Sequence, residues 1–286
     1  MRVSLIVLTY NWPEALALVL ASAARQSRPP AEVIVADDGS QQITRTAIDG
    51  IAANYPLPLR HLWQKDLGFR VSRARNMGIA AASGDYIIVT DGDMVLHREF
   101  VRDHIDFARP QRFLAGGRLR ATANETTRLL GGGKPCFWPW MDGQFDAPHD
   151  FRRKHALRLL WMARRKARSR RARIMGCNLS FWREDAVRIN GFDEEMEGYG
   201  SEDLEFGKRL ENNGVTRRQL KFAGLAVHLD HPSRAPVDPD DLSIPNNKIY
   251  QATRSGGRTR CDVGLDQHLG RAGATESAAS DAGRPT

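Results

Sequence analysis

Four runs rich in apolar, β-branched residues recur along the first hundred positions: VSLIVLT at 3–9, EVIVADD at 32–38, LRHLWQ at 59–64 and DYIIVTDGD at 85–93. Continuous apolar runs, as opposed to alternating ones, suit strands covered on both faces. Helical patterns separate them: PEALALVLASAARQ after the first, residues 43–54 after the second and residues 73–82 after the third. Asn11 ahead of Pro13 predicts a capped helix start, because Asn can accept from free amide groups and Pro needs no donor there. The runs begin near residues 3, 32, 59 and 85, which leaves room for one strand and one crossover helix each time. The predicted fold class is α/β: a doubly wound, mostly parallel sheet flanked by helices.

Sheets of this kind bind ligands at the carboxyl ends of their strands. The residues there are Thr9-Tyr10-Asn11, Asp37-Asp38-Gly39-Ser40 and Asp91-Gly92-Asp93. No glycine precedes Gly39, which excludes a dinucleotide fingerprint or a phosphate-cradling Gly-rich loop from the first strand-helix turn. Asp91 and Asp93 offer hard oxygen ligands for Mg²⁺ or Mn²⁺, with Asp-Gly as a simple turn the alternative. Asp37 and Asp38 read as a turn or as acceptors for a base N–H and ribose hydroxyls. Arg73, Arg75 and Asn76 follow on a helix, with Arg70 ahead of it, as ligand donors or as a solvated face.

The second half carries GCNLSFWRE and GFDEEMEGYGSEDLEFGKRL. Ser201 is placed to cap a helix, which sets Glu202 and Asp203 in its first turn, where the helix dipole favours ionised acids. An ionised Asp at a cleft can accept a proton from a substrate hydroxyl; helix capping alone is the alternative.

The formal charge of +8 suggests a basic protein until its location is considered. Eleven Lys and Arg, and no acid, fall within FRRKHALRLLWMARRKARSRRARI at 151–174; without them 31 basic residues face 34 acidic ones. That segment suits an anionic membrane surface, an acidic or lipid-linked acceptor, or a solvated loop. No nucleic-acid motif accompanies it, and no nucleic-acid partner is expected. Cys136, Cys177 and Cys261 form no CxxC pair, and no apolar run approaches the roughly 18 to 20 residues of a membrane span. A cytoplasmic chain is expected, with a peripheral contact at the inner membrane face through 151–174.

In this order, VSLIVLTYNWPEAL, VIVADDGS, GFRVSRARNMGIAAASGDYIIVTDGD, GCNLSFWRE and GFDEEMEGYGSEDLEFGKRL resemble family 2 glycosyltransferases of the GT-A type. The second half also resembles the C-terminal region of β-1,4-galactosyltransferases. The resemblance implies a nucleotide-sugar donor, usually a UDP-sugar, a divalent metal and inversion at the anomeric carbon. It implies a GT-A-like sheet and donor contacts at Thr9, Tyr10, Asn11, Asp37, Asp38, Arg70, Asn76, Asp91 and Gly92. Metal binding falls to Asp91, Asp93 and a histidine after the last core strand, with His228 preferred over His231. Asp203 becomes the general base and Glu202 the group that orients the acceptor. No QxxRW follows the acid pair, which sets the chain apart from processive synthases with a membrane channel.

Residues 1–120 are expected to form the nucleotide-sugar-binding half, and residues 121–250 the acceptor-binding and catalytic half of the same domain. The Gly-, Pro- and aromatic-rich stretch 129–150, with Phe137, Trp138 and Trp140, is the expected acceptor loop. Residues 255–286 read as a disordered tail, and Asn246 and Asn247 ahead of it receive no role. The rival readings are a sugar-1-phosphate nucleotidyltransferase, which normally carries the Gly-rich first loop missing here, and a non-catalytic glycan-binding protein, which could dispense with the acids.

Overall fold

The computed structural model describes residues 1–133, 174–220, 222–232 and 238–270. VSLIVLT forms β1 (Val3–Thr9) and EVIVAD forms β2 (Glu32–Asp37), and every residue of both is buried. β3 (Leu59–Trp63) and β4 (Tyr86–Asp91) complete the four predicted strands. Between them run α1 (Pro13–Ala24), α2 (Gln42–Ala52) and α3 (Val71–Ala81). The four strands are parallel in the order β3-β2-β1-β4.

The sheet continues through β8 (Asn178–Trp182), which runs antiparallel to β4, then β6 (Arg112–Ala115) and β9 (Thr216–Gln219). Alternate residues of each central strand enter opposite cores. Ile6, Leu8, Ile34 and Val89 pack with Val71, Ala74 and Ile79 of α3, and with Phe206 and Leu210 of α7 (Glu202–Asn212). Leu5, Val7, Val33 and Ile88 pack on the other face with Leu16, Val19 and Leu20 of α1. Full burial of such a side chain contributes about 1.5–3 kcal/mol, which explains why the central strands are apolar throughout. Gly78 sits inside α3 because a Cβ there would stand 2.8 Å from Ile6 Cγ2.

A second, three-stranded sheet follows the order β5-β10-β7, from Met94–Leu96, Ala226–His228 and Leu119–Arg120. β5 starts directly after Asp93, and His228 pairs in register with Met94. The small sheet therefore hangs from the end of β4 and carries a distant segment back to it. The remaining α-helices among the described residues are α4 (Phe100–Phe107), α5 (Ala123–Leu130), α6 (Arg183–Arg188) and α8 (Pro245–Gly256).

Two expectations are corrected here. Asn11 does not cap α1: Trp12 holds the cap position without a side-chain bond, and Asn11, at φ 50°, bridges to the next loop. Its N–H donates to Ser40 Oγ at 2.9 Å, and its Oδ1 accepts Gln41 N–H at 2.8 Å. The tail does not begin at 255. Cys261 and Leu265 are buried, Asn213 Nδ2 donates to Thr259 O, and His268 Nε2 lies 2.7 Å from Glu194 Oε1. A Gly- and Arg-rich composition hid a segment anchored by a few buried side chains; residues 271–286 lie outside the described residues.

Candidate active site

β1, β2 and β4 end side by side, with Thr9 registered on Asp37 and Leu8 on Asp91. The three polar clusters thus share one edge of the sheet. Gly92 is required there: a Cβ would meet Leu8 O at 2.6 Å and Thr9 Cβ at 3.3 Å. Asp37 is spent on the turn, since Oδ1 accepts from Ser40 N–H at 2.7 Å and Gly39 N–H at 3.2 Å, while His61 Nε2 lies 3.0 Å from Oδ2. Burial opposes its charge, but the bonds from His61 and Ser40 hold its carboxyl below the ordinary value. Asp38 accepts from Arg70 N–H at 2.9 Å and from Gln64 Nε2, and burial raises its pKa. Tyr10 is exposed and donates its hydroxyl to Asp66 Oδ2 at 3.0 Å. The Arg70 side chain donates to Lys65 O and lines a cavity of about 390 Å³ with Trp63, Leu67 and Met77.

Across from this edge, α7 presents Glu202 and Asp203. Asp203 Oδ2 accepts from Gly176 N–H at 2.8 Å and Oδ1 from Leu204 N–H at 2.7 Å. Burial, reinforced by Glu202, pushes its carboxyl up to about 7. The compensating cation is Arg75, buried and 3.1 Å from Glu202 Oε1, with its guanidinium 4.9 Å from the Phe192 ring centroid. Although burial disfavours its charge, Glu202, Asp91 and Asp203 together keep it firmly protonated. Gly176 leaves room for it: a Cβ there would stand 2.3 Å from Arg75 Nη2. Asp91 is pushed up to about 6 by burial and then by Asp93.

Asp93, His228 and His231 offer one ligand atom each within 4.8 Å of one another. Asp93 Oδ2 lies 3.4 Å from His228 Nε2 and 3.2 Å from His231 Nε2. The backbone holds them together, since Leu229 N–H donates to Asp93 O at 2.9 Å. Burial brings His228 down to about 4, so it is neutral and free to donate a lone pair at pH 7, whereas the bond to Asp93 raises His231. Asp93 Oδ1 is buried with no hydrogen-bond partner among the described residues. An orphaned carboxylate oxygen beside two imidazoles fits a divalent cation of the Mn²⁺ type, which accepts mixed O and N ligands. Asp91 is not in this group; the turn at Gly92 and Asp93 separates the two acids, and Asp91 faces Arg75.

Asn76 is not available to a ligand. It is fully buried, its Nδ2 donates to Phe192 O and Glu194 Oε1, and its Oδ1 accepts Phe192 N–H, each at 2.8 Å. Its neighbour Arg75 takes the central place, which a pattern of basic residues on a helix did not single out. His231 was legible only as a second histidine three residues on. Arg118, exposed between β6 and β7, acts electrostatically on Asp91 and both histidines; no motif marks it. The aromatic stretch from 134 onward and basic residues 151–173 lie outside the described residues.

Comparison with known proteins bears on the family and the fold. Residues 4–160 match the sequence model of glycosyl transferase family 2, and residues 160–232 match one described as the N-terminal domain of galactosyltransferase. The validoxylamine A glucosyltransferase of Streptomyces hygroscopicus subsp. limoneus is 28% identical over 93% of this chain and 56% of its own length. The hyaluronan synthase of Pasteurella multocida is 29% identical over 81% of this chain and 25% of its own. The chain thus spans about half or less of these relatives. Among solved structures, S. aureus TarS 1–349 in complex with UDP-GlcNAc superposes with a TM-score of 0.60 at 18% identity, covering 94% of this chain and 70% of that one. The mannosyltransferase PcManGT of Pyrobaculum calidifontis, in complex with GDP-Man and Mn²⁺, gives 0.55 at 17% identity, covering 99% and 76%. At such identities the likeness concerns the fold, and the GT-A-like sheet is common to all three. The family 2 match spans more than half of the sequence, with the acids of the sheet edge inside it, and the chain belongs to glycosyl transferase family 2.

Proposed function

We propose that the chain is a metal-dependent, inverting glycosyltransferase that moves a hexose-type sugar from a UDP-sugar to a hydroxyl of a glycan or lipid-linked glycan. One observation carries the reading: a carboxyl held near 7, Asp203, shares the buried Arg75 with Asp91, beside the Asp93–His228–His231 cluster. A base near the working pH is both available to take a proton and basic enough to do so. Asp203 removes the proton of the acceptor hydroxyl, and the resulting oxygen attacks the anomeric carbon from the side opposite the diphosphate. Glu202, fixed by Arg75, orients that hydroxyl. Thr9, Tyr10, Asn11, Asp38 and Arg70 line the donor side, Asp37 supports the turn beneath them, and Asp91 accepts from donor hydroxyls. A Mn²⁺ or Mg²⁺ held by Asp93, His228 and His231 would supply positive charge for the departing diphosphate.

The acceptor and the anionic membrane surface belong to the same proposal, drawn from the basic sequence at 151–174. Among the described residues no helix is long and apolar enough to cross a membrane. The test is a panel of UDP-sugars with Mn²⁺, scored by UDP release with and without glycan acceptors. One donor is expected to release UDP in an acceptor- and metal-dependent way. Release insensitive to chelator, or absent with every donor and acceptor, would overturn the reading.

A further inference from the structure

The loop that delivers Glu202 and Asp203 is conformationally unusual. Gly198, Gly200 and Ser201 have φ of 79°, 123° and 59°. Glycine adopts the left-handed region freely; serine does not, so something must hold Ser201 there. Its hydroxyl stands at the cap position of α7 but makes no cap bond. It donates to Asn247 Oδ1 at 2.5 Å. Asn247 is itself fully buried, and its Nδ2 donates to Asp238 O at 2.7 Å and Asp241 O at 2.8 Å. Two carbonyls facing the amide nitrogen fix its orientation, so the oxygen must point at Ser201. Asn246 adds a bond from its Nδ2 to Gly198 O at 3.3 Å.

We propose that Asn247, on α8 and beyond the two matched segments, is a positioning residue for the acid pair: by accepting the Ser201 hydroxyl it keeps Ser201 left-handed. This rests on the reading of Asp203 as the base. Released from Asn247, the hydroxyl is free to turn to the ordinary capping arrangement, with extended backbone at Ser201 and a bond from a first-turn N–H. That turn rotates Glu202 away from Arg75 and Asp203 away from Gly176 N–H. Helix α8 therefore sets the acceptor side of the site without touching substrate.

The test compares Asn247→Ala, Ser201→Gly and the double variant in the full chain, well below the melting temperature. Asn247→Ala is expected to lower kcat about tenfold or more, since small misplacements of reacting groups are costly, while donor KM and UDP affinity stay within about twofold. Glycine adopts the left-handed conformation without Asn247, so the double variant recovers most of the lost kcat. Unchanged kcat in Asn247→Ala, or no recovery in the double variant, would overturn the proposal. Amide exchange separates this from the functional reading: exchange at residues 203–206 speeds up in Asn247→Ala whatever the donor is. Faster exchange with no transfer by the wild type would sink the base assignment and leave the clamp standing; unchanged exchange would sink the clamp.

Discussion

Arg75 Nη1 and Glu202 Oε1 stand 3.1 Å apart across 127 residues of chain, joining α3 on the donor side to α7 on the acceptor side. Arg75 also serves Asp91 and Asp203, so its removal strands several buried acids at once. Arg75→Met is expected to destabilise the fold by about 3 kcal/mol or more, as breaking buried pairs does, and to move the rising limb of the pH–rate profile to higher pH. Urea unfolding and a kcat/KM profile test both. Equal stability with an unmoved limb would exclude Arg75 as the shared counter-charge.

Asp203→Asn is expected to keep UDP binding and to lose transfer by at least about a hundredfold. In the wild type, activity should rise with pH through about 7, because the base must be ionised. Stability runs the other way. The folded carboxyl is held above its unfolded value near 3.8, so the native state binds more protons and loses stability as pH rises from about 4 to 7. Asn carries no such charge, although it offers one acceptor to the two N–H groups that Asp203 serves, so the margin in melting temperature between Asp203→Asn and the wild type should move in the variant's favour over that window. A constant margin would count against the shift.

Asp93→Ala, His228→Ala and His231→Ala should each weaken Mn²⁺ binding by about tenfold or more, since even changes behind a ligand cost that much. Asp91→Ala should leave Mn²⁺ affinity closer to wild type and weaken donor binding instead. Calorimetry with Mn²⁺ alone, then with UDP, distinguishes the two patterns; a Mn²⁺ loss confined to Asp91→Ala would reverse the assignment.

His104 lies buried between Ser180 Oγ at 2.7 Å and Asn178 Oδ1 at 3.0 Å, and burial lowers it to about 3. Its depressed value means that stability is intact above the unfolded pKa near 6.5 and is lost as pH falls below it. At pH 5 the loss is about 2 kcal/mol. His104→Gln, which cannot ionise, should flatten the dependence of the urea midpoint between pH 7 and 5; an unchanged slope would assign acid sensitivity to other groups.

Much of this was legible because buried parallel strands need continuous apolar runs, and β1, β2 and β4 have them. The acids at their ends could be read for the same reason: a strand that long leaves its polar terminus at the ligand edge. The small sheet could not be read. β5, β7 and β10 are two or three residues long, too short to show a period, and the β5–β10 pairing is what brings His228, with His231 three residues on, to Asp93. Arg75 was hidden by chemistry: an arginine on a polar helix reads as solvated until the acids that face it are known. Asn11 and Ser201 mislead in a shared way, since both are good helix caps whose side chains are engaged by more distant partners.

The seam between β4 and β8 bears on how the chain comes to be folded. β4 is buried over Tyr86–Thr90 and is closed on one side by β1, but its other side waits for residues 178–182. During synthesis, some ninety residues must emerge before that apolar edge is covered. A ribosome-bound nascent chain therefore displays a ready template for β-pairing through much of its elongation. The donor-side half, expressed alone, would carry the same open edge permanently, which makes it a poor candidate for an independent fragment and a natural client for chaperones.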